Sequence, residues 1–347
     1  MKQLTLAVAL GLVAASGIVQ ARDNIEIVGS STVYPFSTAV AEQFAKKTGM
    51  AAPKVESTGT GGGMKLFCAG AGIETPDITN ASRRMKKSEM EGCMKNGVSE
   101  VTEVKVGFDG IAVANAKSSP AIPLSRRELY LALAKDVPTG PNGELQPNTY
   151  TTWKQVNSSL PDTKITVMGP PPTSGTRDAL AELGLSKGCA LFKGMPEMKK
   201  ADSKAYEKAC TTIREDGHYI EMGENDNLIV QKLQADPLAV GLFGYSFLEQ
   251  NADTLKAATI DGKEISYDSI SNGSYPLSRP LFFYVKNSHV GQVAGIKEFI
   301  AEFTSEDALS KDGYLAEKGL VALPADQKAE SVASANALKP VLASALK

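Results

Sequence analysis

Three short segments of this sequence place small hydroxyl residues or glycines where a β-strand is predicted to end and a helix to begin. The first is IEIVGSSTVYPF, in which Gly29 is followed by Ser30, Ser31 and Thr32. The unpaired N–H groups and the positive dipole end at a helix N-terminus favour an anion. A serine that only caps the helix explains this single junction equally well.

The same pattern recurs at two later positions. After the predicted strand PKVEST comes GTGGGMKLFCAG, whose glycines either form a flexible loop or let the backbone approach a ligand closely. After TKITVMG and three prolines, Ser174, Gly175 and Thr176 open a further helix. In open α/β sheets ligands bind beyond the carboxyl ends of the strands. The three junctions together therefore predict one anion site built from two domains.

Two charged residues lie where neutral sheet residues are expected. Arg83 follows a predicted strand in ITNASRRM, and Asp109 interrupts the apolar run VGFDGIAVA. Buried charges need partners, so one interpretation is an Arg–Asp pair that holds the domains together. On the functional interpretation Arg83 donates to an oxyanion, and Asp109 accepts a proton from an oxyanion that still carries one. A nucleotide is a poor candidate, because neither phosphate-loop spacing nor G-x-G-x-x-G is present.

The elements that must position these residues alternate along the chain, which predicts an α/β fold. Predicted strands are NIEIVG, PKVEST, PDITNA, TEVKVGFDGIAVAN, TKITVMG, AVGLFGY and RPLFFYV, several of them apolar on both faces as parallel strands require. Predicted helices are 36–48, 125–134, 177–184, 226–235 and 292–303. The SST group marks the start of the first helix and Gly49 caps its end, whereas 136–150 is predicted as a surface loop.

The N-terminal segment and the composition indicate where the protein is located and how many domains it has. Residues 1–21 carry one lysine, an apolar stretch and a V-Q-A ending, which predicts a cleaved secretory signal and export. A membrane anchor is disfavoured by the short apolar core, and a lipoprotein by the lack of a cysteine after it. Once the signal with Lys2 is removed, 36 of the 37 basic residues remain against 39 acidic ones. This near balance, without a basic stripe, disfavours nucleic acid as a partner. The mature length predicts two domains.

The cysteines fall into two pairs about twenty residues apart, and export makes disulfides chemically feasible. The alternative is a zinc site, but no CxxC motif exists and the two histidines are isolated. We therefore predict the disulfides Cys68–Cys93 and Cys189–Cys210.

Seven segments in order carry a resemblance over essentially the whole mature chain. They are GSSTVYPF, GTGGGMKLFCAG, NASRRM, GFDGIAV, TSGTRDA, ENDNLIVQKL with AVGLFGY, and YPLSRPLFFYV. In these segments the chain resembles the periplasmic phosphate-binding proteins of ABC importers. The resemblance implies a two-lobed type II periplasmic binding protein fold, each lobe a mostly parallel sheet flanked by helices. It also implies a monomer without catalysis or cofactor, which closes on orthophosphate and delivers it to a membrane permease.

Carried over by position, the resemblance implies hydroxyl and backbone donors at the three junctions. Some relatives have a serine at Gly61 and an arginine at Pro170, so here Gly61 offers only its N–H. Arg83 is implied as the replacement charge and Asp109 as the proton acceptor. The predicted phosphate ligands are Ser31, Thr32, Thr60, Gly61, Arg83, Asp109, Ser174, Gly175 and Thr176.

The predicted boundaries are 22–112 with 277–347 for lobe one and 113–276 for lobe two, with crossovers near Ala112 and Pro276 that form a hinge. Three alternatives remain open. One is a binding protein for sulfate, molybdate or tungstate. Another is an exported phosphatase with Asp109, Ser31 or Ser174 as nucleophile, which lacks a histidine cluster and a G-x-S-x-G elbow. The third is a scaffold or adhesion protein.

Overall fold

The computed structural model describes residues 22, 24–139, 143–172, 174–223 and 226–346. The predicted signal segment 1–21 lies outside the described residues. The strands are β1 (Glu26–Gly29), β2 (Lys54–Ser57), β3 (Ile78–Ala81), β4 (Val101–Ala116), β5 (Asp136–Pro138), β6 (Leu145–Pro147), β7 (Val167–Gly169), β8 (Tyr219–Glu221), β9 (Val240–Gly244), β10 (Leu255–Ala257) and β11 (Ser278–Lys286).

Helices lie between most of these strands, as predicted for an α/β chain. They are α1 (Tyr34–Thr48), α2 (Thr60–Phe67), α3 (Lys87–Lys95), α4 (Arg126–Leu133), α5 (Trp153–Val156), α6 (Gly175–Ala179), α7 (Lys187–Cys189), α8 (Met195–Ala201), α9 (Ser203–Thr211), α10 (Asn227–Ala235), α11 (Tyr245–Gln250), α12 (Tyr267–Ser271), α13 (Ile296–Phe303), α14 (Glu306–Leu309) and α15 (Ala325–Asn336). A π-helical segment, Leu180–Ser186, joins α6 to α7. Among the described residues, no helix combines the length and the apolar character needed to cross a membrane.

One long sheet connects the two lobes in the order β2-β1-β3-β11-β4-β9-β7-β8, with β10 also on β4. The strands at its two ends pair in parallel, β1 with β2 and β3, and β7 with β8 and β9. The strands that meet β4 and β11 in the middle are antiparallel. The prediction of parallel strands therefore holds for the outer strands, whereas β4 and β11 are antiparallel because the chain leaves the first lobe along β4 and returns to it along β11.

The two largest of four hydrophobic clusters in the described structure divide along these central strands. The first, named the Phe44 core, contains Ile27, Val40, Phe44, Val104, Val106, Leu281, Phe283, Phe299 and Phe303. The second, named the Trp153 core, contains Phe108, Ile111, Tyr130, Trp153, Leu180, Leu185, Tyr275, Leu277 and Val321. Along β4 the buried residues change core between Val106 and Phe108, and around β11 they change between Leu277 and Leu281. Each lobe is thus built on its own hydrophobic core.

Both disulfides predicted from the cysteine spacing are present, which removes the zinc alternative. Cys68 pairs with Cys93 and joins the end of α2 to α3, and Cys189 pairs with Cys210 and joins α7 to α9. Each bridge closes a short loop inside one lobe, with sequence separations of 25 and 21. In the chain-entropy description each contributes about 3 kcal/mol.

Several predicted elements are shifted for local reasons. The first helix begins at Tyr34, and no side chain caps it, so the SST group forms the turn before the helix instead. Gly49 ends that helix in the left-handed conformation, as predicted. The last predicted helix, 292–303, begins only at Ile296, because Gly295 has a φ of 85°. The segment 136–150, predicted as a loop, contains the antiparallel pair β5 and β6.

Candidate anion site between the lobes

The first junction is shaped by close packing at the end of β1. Gly29 has a φ of 126°, and a Cβ there would lie 2.2 Å from the Asn80 carbonyl oxygen, so only glycine fits. The chain then turns through Ser31 and Thr32 before α1 begins. Within the described part of the chain, the amide N–H groups of Ser31 and Thr32 donate to no protein acceptor. These two amides are free to donate to a ligand.

The second junction packs directly against the first. A Cβ on Gly63, in the first turns of α2, would lie 2.4 Å from the Gly29 Cα, so the two backbones touch. Thr60 begins α2, and its hydroxyl oxygen accepts the Ser82 N–H at 3.1 Å. Ser82 was not among the predicted site residues. The glycines of this loop therefore serve close packing between α2 and β1 as well as access to the backbone.

The third junction touches the first from the opposite lobe. Ser174 caps α6 by accepting the Thr176 N–H at 3.2 Å. A Cβ on Gly175 would lie 2.1 Å from the Thr32 Cα, and the Thr32 hydroxyl donates to the Gly175 carbonyl at 3.2 Å. The Ser31 hydroxyl likewise donates to Asp178 on α6. Both hydroxyls that were predicted as ligand donors are therefore engaged across the lobe interface in this structure.

Asp109 and Arg279 face each other in the middle of the site. They are Cα partners in the antiparallel register of β4 and β11, and both are more than nine-tenths buried. The Arg279 Nε lies 3.5 Å from the Asp109 Oδ2, but neither atom has a hydrogen-bond partner in the described structure. Burial raises the pKa of the Asp109 carboxyl, and the charge of Arg279 opposes that rise. The Oδ2 of Asp109 is thus a buried carboxylate oxygen that is ion-paired with Arg279 but accepts no hydrogen bond in the described structure.

The interpretation of Arg83 and Asp109 as an ion pair is wrong, whereas a contact of Arg83 with the anion stays a prediction. Arg83 forms a two-pronged ion pair with Glu89, with nitrogen to oxygen distances of 2.9 and 2.7 Å. The sheet order explains the error, since β11 lies between β3, which precedes Arg83, and β4, which carries Asp109. Arg279 on that intervening strand takes the place that the sequence interpretation gave to Arg83.

The predicted site residues line two adjacent cavities that meet at Ser31 and Thr32. The Asp109 cavity, of about 610 Å³, is lined among others by Ser31, Thr32, Asp109, Ser174, Gly175 and Thr176. The Arg83 cavity, of about 540 Å³, is lined among others by Ser30, Ser31, Thr32, Thr60, Gly61, Ser82, Arg83 and Arg279. The contact between Thr32 and Gly175 stands where the two meet. That all nine residues surround one anion stays a prediction.

A comparison with known proteins identifies the family. A family model described as the PBP superfamily domain matches residues 14–307. This chain belongs to the PBP superfamily. Within this superfamily of solute-binding proteins, Protein SphX of Synechococcus elongatus is 35% identical over 304 residues, 86% of this chain and 77% of SphX. Phosphate-binding protein PstS of Staphylococcus epidermidis is 34% identical over 296 residues, 83% of this chain and 77% of PstS.

Solved structures agree with the PBP assignment. The crystal structure of a possible phosphate binding protein from Planctomyces limnophilus superposes with a TM-score of 0.71 at 28% identity. The match covers 91% of this chain and 98% of that protein. The two-lobed periplasmic binding protein fold and the PstS-like membership that the sequence predicted are therefore confirmed.

Sequence reasoning missed Arg279 in this PBP-superfamily chain. The residue lies in YPLSRPLFFYV, a segment that the sequence analysis used as a strand and as part of the resemblance without giving its arginine a role. A buried arginine inside an apolar run is itself a signal, because it needs partners, and it is the same signal that singled out Asp109. Pro170, at the position of an arginine in some relatives, instead accepts bonds through its carbonyl from Arg177 and Tyr219.

Proposed function

We propose that this chain captures inorganic phosphate between its two lobes and delivers it to the membrane permease of an ABC importer. Support comes from the PBP superfamily membership and from relatives that are named phosphate-binding proteins. The observation that carries the proposal is the Asp109 Oδ2, a buried carboxylate oxygen without a hydrogen bond in a cavity lined by helix starts. An anion that still carries a hydrogen can donate it to this acceptor, whereas an unprotonated anion cannot.

The proposed mechanism divides the ligand contacts into donors and one acceptor. The free amides of Ser31 and Thr32 and the start of α6 donate to the anion from opposite lobes. Asp109 accepts the remaining hydrogen of monohydrogen phosphate, a bond that sulfate has no proton to make. Donors bind both ions equally, so selectivity comes from the acceptor.

Thr60, Gly61 and Arg83 are proposed to contribute from the Arg83 cavity. Because Arg83 is already paired with Glu89, its net charge toward the anion is reduced, and we assign it an indirect, long-range role. The hydroxyls of Ser31 and Thr32 must leave their partners on the facing lobe before they can donate to phosphate.

The proposed lobes are 22–112 with 277–347 and 113–276, with residues 1–21 as a cleaved signal. The division of the two cores along β4 and β11 supports two such lobes, although Phe108, Ile111, Leu277 and Val321, which these limits assign to lobe one, pack in the Trp153 core. We propose a periplasmic monomer that binds its solute without chemical conversion.

Equilibrium dialysis of the mature, phosphate-stripped chain against labelled phosphate tests this function. Unlabelled arsenate, sulfate and molybdate compete in parallel, and the same preparation is assayed for hydrolysis of a phosphate monoester. We expect one phosphate per chain, displaced by arsenate far better than by sulfate, and no hydrolysis. Preferential binding of sulfate or molybdate identifies a different oxyanion-binding protein, and turnover of the ester identifies a phosphatase.

A further inference from the structure

Arg279 makes contacts that a simple core ion pair does not require. Its Nη1 donates to the Glu182 Oε2 at 2.9 Å, and its Nη2 donates to the Thr32 hydroxyl and to the Gly175 carbonyl at 3.3 Å. Its longest contact is the one to Asp109 on the neighbouring strand, at 3.5 Å. The guanidinium is therefore directed toward groups outside the sheet.

These partners come from opposite sides of the lobe interface. Thr32 stands next to α1, which packs in the Phe44 core, whereas Glu182 lies in the π-helical segment whose Leu180 and Leu185 pack in the Trp153 core. Arg279 itself lies on β11 between Leu277 of one core and Leu281 of the other. One guanidinium on a central strand thus contacts groups that move with different lobes.

The shape of its side chain makes arginine better suited than lysine to bond groups of both lobes at once. A planar guanidinium presents donors in a fixed fork, so it can bind Glu182 and Thr32 at once, whereas an ammonium is a single compact charge. The two Nη groups of the buried guanidinium keep all of these acceptors only while the lobes are together, since Glu182, Thr32 and Gly175 reach them from both sides. Separation of the lobes removes partners from a residue that is 6% exposed.

We propose that Arg279 is a positioning residue that holds the closed arrangement of the two lobes around the anion, with Glu182 as its partner on the far lobe. This inference rests on the proposed phosphate capture. The Nε of Arg279 also lies 3.5 Å from the Asp109 Oδ2, so the charge of Arg279 acts on the carboxylate without a hydrogen bond between these two atoms. The Glu182 side chain is 57% exposed, so its share of the bridge is small and is weakened by salt.

The test compares Glu182→Gln and Arg279→Lys with wild type by stopped-flow phosphate exchange and by small-angle scattering. For Glu182→Gln we expect phosphate to dissociate about two- to fivefold faster, with an unchanged association rate and an unchanged phosphate-to-sulfate affinity ratio. For Arg279→Lys we expect an affinity loss of about tenfold or more and a larger radius of gyration in saturating phosphate than wild type.

Two controls separate this role from general stability. Asp261→Asn weakens the exposed Arg126–Asp261 pair, whose atoms lie 2.6 Å apart and which lines neither cavity. Arg214→Lys alters another buried arginine that bonds Asp216 and two carbonyls inside one lobe. Both controls are expected to keep the wild-type dissociation rate, even where stability falls.

The outcomes separate the two claims. If wild type binds no phosphate, the proposed function fails before Arg279 is tested. If wild type binds phosphate but Glu182→Gln dissociates at the wild-type rate and Arg279→Lys closes like wild type, the bridge has no positioning role. A change in the phosphate-to-sulfate ratio in Glu182→Gln also overturns the inference, because it assigns the effect to selectivity.

Discussion

The replacement Asp109→Asn tests the source of anion selectivity. The asparagine keeps the shape of the side chain but offers an amide that can donate to an unprotonated sulfate oxygen as well as accept from phosphate. The fold is expected to persist, because Arg279 retains Glu182, Thr32 and the Gly175 carbonyl as acceptors. The phosphate-to-sulfate affinity ratio is therefore expected to fall.

The size of the expected fall in the phosphate-to-sulfate affinity ratio follows from two energies, that of a hydrogen bond and that of charge repulsion. A hydrogen bond to a charged group contributes about 1.5–3 kcal/mol, and sulfate cannot form it with a carboxylate. Repulsion between like charges 4 Å apart is about 4 kcal/mol at an effective dielectric constant of 20, and Arg279, 3.5 Å from the carboxylate, offsets part of it. We expect the phosphate-to-sulfate affinity ratio of Asp109→Asn to be at least tenfold lower than that of wild type, a difference of about 1.4 kcal/mol in binding free energy.

Calorimetric titration of phosphate and sulfate into wild type and Asp109→Asn tests whether Asp109 is the source of the selectivity. The matched control is Asp77→Asn, which alters another buried aspartate, bonded to His289 at 2.6 Å, at the opposite end of β3 from the site. We expect this control to lose stability and to keep the wild-type ratio. An unchanged ratio in Asp109→Asn would show that Asp109 is only a structural neighbour of Arg279, and the reasoning on selectivity would be refuted.

Three further predictions address the junctions, the disulfides and pH. Gly175→Ala is expected to weaken phosphate binding at least tenfold, because its Cβ would collide with the facing lobe, whereas Gly92→Ala, whose Cβ meets nothing within 4 Å, should bind as wild type in the same titration. The double replacement Cys68→Ala with Cys93→Ala should lower the free energy of unfolding by about 3 kcal/mol in urea denaturation; an unchanged midpoint would contradict this. Because burial raises the pKa of Asp109, its carboxyl takes up a proton at a higher pH than an ordinary one and can then donate to sulfate. Acidification should therefore improve sulfate binding in wild type but not in Asp109→Asn, as measured by titration across pH.

Local features of the site were predictable from the sequence, whereas its long-range pairings were not. The junctions at Ser31 and Ser174 are visible because strand, turn and helix are consecutive in the chain. Arg279 was missed because its partner depends on the register between β4 and β11, strands that are far apart in sequence. The pairing of Arg83 failed for the same reason, since only the sheet order shows that β11 separates β3 from β4.

The hydrogen bonds across the lobe interface could not be predicted from the sequence either. The pattern correctly indicated that Ser31 and Thr32 have hydroxyls at a helix start, but not that these hydroxyls bond Asp178 and Gly175. Those bonds depend on how closely two separate cores approach each other. Each lobe's own disulfide was predictable, because its cysteines are near neighbours in sequence.

A crystal structure of the mature chain grown with phosphate tests the central claim most directly. We expect one tetrahedral anion bound by the Ser31 and Thr32 amides and by the start of α6, so that both lobes contact it. We also expect one phosphate oxygen within about 2.5–2.7 Å of an Asp109 carboxylate oxygen, which is the distance of a donated O–H bond. Phosphate held by one lobe alone, or bound away from Asp109, would contradict the account.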